Sequence, residues 1–181
     1  MTEYNIVSLR DLLETDYDVN EILSKFYCTY DEDVSVFLKE KAVVQEKRHI
    51  SRTYLIFDND GKMAAYCTIA VSSIKADNLQ CPNNLKRKLN ISKDNIIQSY
   101  LIGQIGRTED SQKGLGKWVL KKAVDLILQI NSAIGCRVIR IDCKDKEKLL
   151  DYYIGEGFQA VGKNRSNDLH QMIKIIPEEN R

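Results

Sequence analysis

The stretch SQKGLGKWVLKKA, residues 111–123, sets two of the chain's nine glycines one residue apart, directly ahead of an amphipathic run. A glycine-rich loop that leads from a strand into a helix presents backbone N–H groups with no partner inside the helix. The helix dipole favours an anion at the same place. Gly114 and Gly116 let the backbone approach a ligand with no Cβ in the way. Lys113, Lys117 and Arg107 add local positive charge. This chemistry suits a phosphate or pyrophosphate. A helix start with glycines for tight packing has the same spacing, so spacing alone leaves both readings open.

Two familiar phosphate loops are excluded. In the pattern G-x-x-x-x-G-K-[ST], Ser111 would stand at the first glycine and Trp118 at the hydroxyl that holds magnesium. In G-x-G-x-x-G, the last glycine would be Val119.

The elements around the loop follow from hydrophobic period. IIQSYLIGQIGRT (96–108) is nearly continuous in apolar residues and predicts a central strand covered on both faces. Gly103 and Gly106 interrupt it, and glycine inside a strand marks a bulge or a close approach to the backbone. After the loop, Leu115, Trp118, Val119, Ala123, Leu126, Ile127 and Ile130 form the apolar stripe of a helix, with Lys117, Lys121, Asp125 and Gln129 outward. RVIRIDC (137–143) alternates as a strand, with Ile139, Ile141 and Cys143 on one face. KEKLLDYYIGEGF predicts a shorter helix that ends at Gly155 or Gly157, and FQAVG and HQMIKII close the sheet.

Toward the N-terminus, YNIVSL (4–9) predicts a strand. Val19, Ile22, Leu23, Phe26 and Tyr27 share one helical face. A second helix is expected from Asp31, whose carboxylate can cap it, with Val34, Phe37, Leu38 and Ala42 inward. TYLIFD and MAAYCTIAV read as strands joined by the turn NDGK. Residues 75–95 are polar and predict a long loop with one helical turn at 84–90. No repeat or linker is visible. A single domain over 1–181 is expected, of α/β (α+β) class with a mixed sheet.

With 43% apolar and 29% charged residues the 181-residue chain has a globular composition. Its formal charge of +1 draws it as a whole to neither nucleic acid nor an anionic membrane. No membrane span is expected. The N-terminus lacks the basic lead and apolar core of an export signal, and the five cysteines form no CxxC pair. Free thiols in a reducing cytoplasm are therefore expected. Two histidines are too few and too scattered for a His-rich metal site, and no metal is expected.

The stretch 100–158 resembles the GNAT superfamily of N-acetyltransferases. That family's acetyl-CoA loop reads Q/R-x-x-G-x-G/A, and SQKGLG stands in its place. Its last helix reads Y-x-x-x-G-F, matched by YIGEGF at Tyr153, Gly157 and Phe158. Two positions depart from the pattern: Ser111 replaces the usual Gln or Arg, and Lys146 replaces an asparagine often found at the start of the last helix. The N-terminal half, from FLKEKAVVQ through AAYCTIA, is similar to the branch that holds tRNA-acetylating toxins as well as stand-alone enzymes.

The resemblance implies a mixed, mostly antiparallel sheet flanked by helices, with strands 96–108 and 137–143 as parallel neighbours splayed around acetyl-CoA. Backbone groups of Ile105, Gly106 and Arg107 would pair with the pantetheine arm like an added strand. Gln112, Lys113, Gly114, Leu115, Gly116 and Lys117 would take the pyrophosphate. Tyr153 would be the acid: a phenol of pKa near ~10 stays protonated at neutral pH and can donate to a departing thiolate. The implied activity is acetyl transfer from acetyl-CoA to a primary amine, on a small molecule or a protein, by direct transfer in a ternary complex. Toxin-type acetylation of aminoacyl-tRNA is an alternative, to which the basic run LKRKLN (85–90) could contribute phosphate contacts. A non-catalytic acyl-CoA-binding module is a second. Cys143 and Cys136 tempt a covalent mechanism, but Cys143 lies on an apolar face and reads as a buried structural thiol. Oligomeric state stays open between monomer and homodimer.

Overall fold

The computed structural model describes residues 3–75, 79–80, 83–89, 96–164 and 167–178. Seven strands join in the order β1-β2-β3-β4-β5-β7-β6. They are β1 (Asn5–Ser8), β2 (Arg52–Phe57), β3 (Met63–Lys75), β4 (Ile96–Arg107), β5 (Val138–Cys143), β6 (Gln159–Lys163) and β7 (His170–Ile175). The β1–β2, β2–β3, β5–β7 and β6–β7 pairs are antiparallel. β4 and β5 are parallel, with Tyr100, Leu101 and Ile102 opposite Ile139, Arg140 and Ile141. Helices accompany the sheet, so the expected mixed, mostly antiparallel class is the one found. The chain divides into two compact units, Met1–Ala70 with Gly103–Leu126, and Val71–Ile102 with Ile127–Arg181.

In the first unit, Leu9, Leu23, Phe26, Leu38, Leu55 and Tyr66 are buried together. Helix α1 (Leu9–Leu13) follows β1 at once and supplies Leu9 and Leu12. Sequence reading missed it, because five residues are too few for a helical period to show. Helix α2 (Val19–Ser24) is capped by Asp18, whose side chain accepts the Glu21 N–H at 3.1 Å. It ends before the apolar pattern does, so Phe26 is buried whereas Tyr27, expected on the same face, is 61% exposed.

Helix α3 (Glu32–Val36) starts after Asp31, but no cap hydrogen bond comes from that side chain, contrary to expectation. A π-helical stretch (Phe37–Lys41) links it to α4 (Ala42–Lys47). Val34, Leu38 and Ala42 recur every fourth residue and all three are buried. The wider winding of a π-helix suits that spacing.

In the second unit, Ile74, Leu79, Leu85, Val138, Val161 and Ile173 form a separate cluster. Leu85 comes from α5 (Asn83–Lys88), the helical turn expected within residues 75–95; residues 76–78, 81–82 and 90–95 of that stretch lie outside the described ones. The long helix α6 (Leu115–Asn131) follows the glycine loop, and α7 (Glu147–Gly155) lies between β5 and β6. Arg140 on β5 is buried and fully engaged: Nε donates to Asp142 Oδ1 at 2.6 Å, and Nη1 donates to Ser72 Oγ at 3.3 Å and Ser73 O at 3.2 Å.

Candidate functional site

The nine candidate cofactor residues form one continuous piece of the first unit: the end of β4, the loop after it and the start of α6. Thr108 anchors the end of β4, donating its N–H to Ala64 O at 2.8 Å and its hydroxyl to the same carbonyl at 3.2 Å. The Ser111 N–H then reaches Thr108 O at 3.2 Å, and the Leu115 N–H reaches Gln112 O at 3.1 Å. The buried side chain of Leu115 pins the helix start. Gln112, Lys113, Gly114 and Lys117 remain exposed, and Ile105, Arg107 and Gly116 are half-buried.

Gly114 has φ +94°, a backbone state that L side chains avoid, and a Cβ built on it meets nothing within 4 Å. The loop is therefore open at Gly114. Gly116 sits in the first helical turn, where amide N–H groups find no carbonyl within the helix. The loop's charges lean positive, because Asp110 is ion-paired with Lys62. The Lys62 ammonium, hydrogen-bonded to Asp110, holds that carboxyl below its ordinary pKa. Open backbone at Gly114, a helix start and Lys113 and Lys117 nearby fit a pyrophosphate.

The glycines of β4 have another reason. A Cβ on Gly106 would lie 2.2 Å from Val34 Cγ1, 2.7 Å from Tyr66 Cε1 and 3.1 Å from Phe26 Cζ. The close approach expected there is made by the protein's own core. A Cβ on Gly103 would lie 3.1 Å from Thr68 Oγ1.

Tyr153 belongs to the second unit. It is 8% exposed on α7, with its ring centroid 5.2 Å from Tyr152 and 5.9 Å from Phe158. Burial, then the neighbouring Cys143 and Tyr152, push its phenol well above the ordinary tyrosine range. Tyr152 is pushed up to about 12, mainly by burial, and among the described residues its buried hydroxyl has no hydrogen-bond partner. Cys143 is buried and pushed up to about 11, which keeps it a thiol. Lys146 is the residue before α7 and makes no side-chain cap, as a side chain without an acceptor must.

Sequence reading missed Tyr30. It is 64% exposed, and the Arg107 guanidinium carbon lies 5.3 Å from the centre of its ring. The two are far apart in sequence, so no spacing could have paired them. Among the described residues no three metal-ligating side chains gather, and no helix is long and apolar enough to cross a membrane.

No family model matches the chain, and no curated protein matches it by sequence. Solved structures do. AtaT complexed with acetyl-methionyl-tRNAfMet is 22% identical over 93% of this chain and 94% of that one, with a TM-score of 0.71. A tyrosine-to-phenylalanine mutant of KacT is 17% identical over 96% of this chain and 95% of that one, with a TM-score of 0.75. AtaTR bound with AcCoA is 20% identical over 96% and 93%, with a TM-score of 0.69. At these identities the likeness is one of fold, and it spans almost the whole chain: this protein has the fold of AtaT and KacT, the fold that the loop and helix motifs imply.

Proposed function

We propose that the protein is an acetyl-CoA-dependent N-acetyltransferase, one catalytic domain that transfers acetyl directly to a primary amine. One observation carries this reading. The open Gly114 loop at the start of α6 and Tyr153 in its helix-ending motif occur together, in a chain with the fold of a protein solved with AcCoA. Acetyl-CoA supplies the activated acyl group. Backbone groups of Ile105, Gly106 and Arg107 hold its pantetheine arm, and residues 112–117 hold its pyrophosphate.

The amine nitrogen bonds to the acyl carbon and the C–S bond breaks. The Tyr153 hydroxyl gives its proton to the leaving thiolate and regains one from water. Water also takes the proton lost by the nitrogen, since Gln104 on β4 is an amide and cannot serve as a base. A backbone N–H near Ile105 or Gly106 stabilises the oxyanion. Burial, which raises the Tyr153 phenol above its ordinary range, keeps it protonated at neutral pH.

For the acceptor, the amino group of an aminoacyl-tRNA is favoured by the likeness to AtaT solved with acetyl-methionyl-tRNAfMet. The exposed Arg87 and Lys88 of α5 offer phosphate contacts. A protein antitoxin is then the expected partner, by analogy with AtaT bound to the C-terminus of AtaR. A reducing cytoplasm suits the free thiols Cys28, Cys67, Cys136 and Cys143. The test is acetyl-CoA turnover, read by thiol release, across small amines, peptides and charged tRNA. Release with charged tRNA alone supports the finer reading. Release with none of them, while CoA binds, leaves a binding module.

A further inference from the structure

Ser111 stands where related loops carry Gln or Arg, and a hydroxyl offers an anion one donor and no charge. In the structure this hydroxyl is turned inward, donating to Thr108 O at 2.5 Å. Another side chain comes to the same place. The stem of Arg107 passes the first turn of α6, where a Cβ on Gly116 would lie 3.9 Å from Arg107 Cδ. Arg107 Nη1 then donates to Ser111 Oγ at 3.2 Å and to Thr108 O at 3.4 Å. The Tyr30 ring packs against the guanidinium, 5.3 Å from its central carbon. These contacts engage Nη1 and one guanidinium face. A guanidinium has five N–H donors, so these contacts leave it donors for an anion at the loop.

We propose that the Arg107 side chain supplies the anion contact that position 111 lacks, and that Tyr30 and Ser111 are positioning residues that hold its guanidinium at the first turn of α6. The ligand group is the pyrophosphate of acetyl-CoA, so the proposal rests on the acetyl-CoA reading above. A guanidinium can fork onto two phosphate oxygens and keeps its charge at every physiological pH. The aromatic ring restrains a long side chain that would otherwise lose its rotamer freedom on binding. Tyr30 thereby ties the segment between α2 and α3 to cofactor affinity.

The test is titration of the full chain with CoA, dephospho-CoA and S-acetylpantetheine, which carries no phosphate. Arg107→Met should weaken CoA and dephospho-CoA alike, by roughly tenfold to a hundredfold, as expected for losing a hydrogen-bonded charge. Affinity for S-acetylpantetheine should not change. Arg107→Lys keeps a stem and a point charge, should recover part of the loss, and serves if the Met variant fails to fold. Tyr30→Ala should raise the KM for acetyl-CoA a few-fold at constant kcat, and Tyr30→Phe, which keeps the ring, should restore it. Unchanged CoA affinity in a folded Arg107 variant overturns the proposal. So does a loss confined to CoA, which would place the contact on the 3′-phosphate, or an equal loss for S-acetylpantetheine. If the parent protein binds no CoA, the acetyl-CoA reading itself has failed and this proposal falls with it.

Discussion

The backbone carbonyl of Tyr153 accepts the Phe158 N–H at 3.0 Å, and the two rings meet edge to face with centroids 5.9 Å apart. Between them Gly157 adopts φ +87°, and its N–H reaches Ile154 O at 2.9 Å. Together these form a Schellman helix end with its usual apolar clasp. The tyrosine, glycine and phenylalanine of YIGEGF are thus spaced by the way α7 stops. The hydroxyl of Tyr153 takes part in neither the backbone bond nor the ring contact of this helix end.

Gly157→Ala should therefore cost about 1–2 kcal/mol, the usual strain of an L side chain in the left-handed region. The added methyl would meet only Lys174, with Nζ at 3.6 Å and Cε at 3.7 Å, so crowding adds little. Urea unfolding of the purified variant measures the loss; parent stability would mean that the helix end can be remade without the turn.

The other glycines should separate folding from binding. Gly106→Ala forces a methyl into Val34 and Tyr66 and should destabilise the fold by about 1–3 kcal/mol or more. Gly114→Asp brings a carboxylate to an open position at φ +94°. It carries about 1–2 kcal/mol of the same left-handed strain, as Gly114→Ala does, and should weaken CoA in calorimetric titration more than Gly114→Ala while the chain stays folded. Equal CoA affinity in Gly114→Asp would remove the loop from the site.

Strand and helix order were legible because β4, α6, β5 and α7 carry long, regular apolar patterns. The site candidates come from the loop and the helix-ending motif, which are local in sequence. Features set by tertiary packing were not legible. Tyr27 fits the helical period of α2 yet is exposed because the helix has already ended. Gly106 marks the close approach to β4 that its place in a strand implies, but only the fold shows that Val34, Tyr66 and Phe26 make it. Tyr30 meets Arg107 only through the fold.

Stability should fall as pH rises above about 10. The Tyr66 hydroxyl, buried and donating to Val34 O at 2.6 Å, is raised well beyond the ordinary range, chiefly by burial, as is Tyr153. Unfolded tyrosines ionise near ~10 whereas these stay protonated when folded. The unfolded state then binds fewer protons, so each pH increment above that value favours unfolding. Tyr66→Phe should flatten the alkaline limb of a stability-against-pH curve; an unchanged slope would show that burial of these phenols does not govern it.

Replacement of Lys86, Arg87 and Lys88 by alanine should weaken RNA binding and reduce its salt dependence, because fewer counterions are released. CoA affinity should stay as in the parent. Absence of RNA binding by the parent at low salt would exclude the tRNA acceptor.

Tyr153→Phe tests the central claim most directly. It keeps the ring against Phe158 and the backbone bonds of the helix end, and removes the hydroxyl alone. Turnover on an established acceptor should fall by roughly 10²–10⁴-fold with CoA affinity nearly unchanged. Tyr152→Phe, which deletes a buried hydroxyl without a partner among the described residues, should be close to neutral. Parent-level turnover in Tyr153→Phe would contradict the assignment of Tyr153 as the acid that releases the thiol.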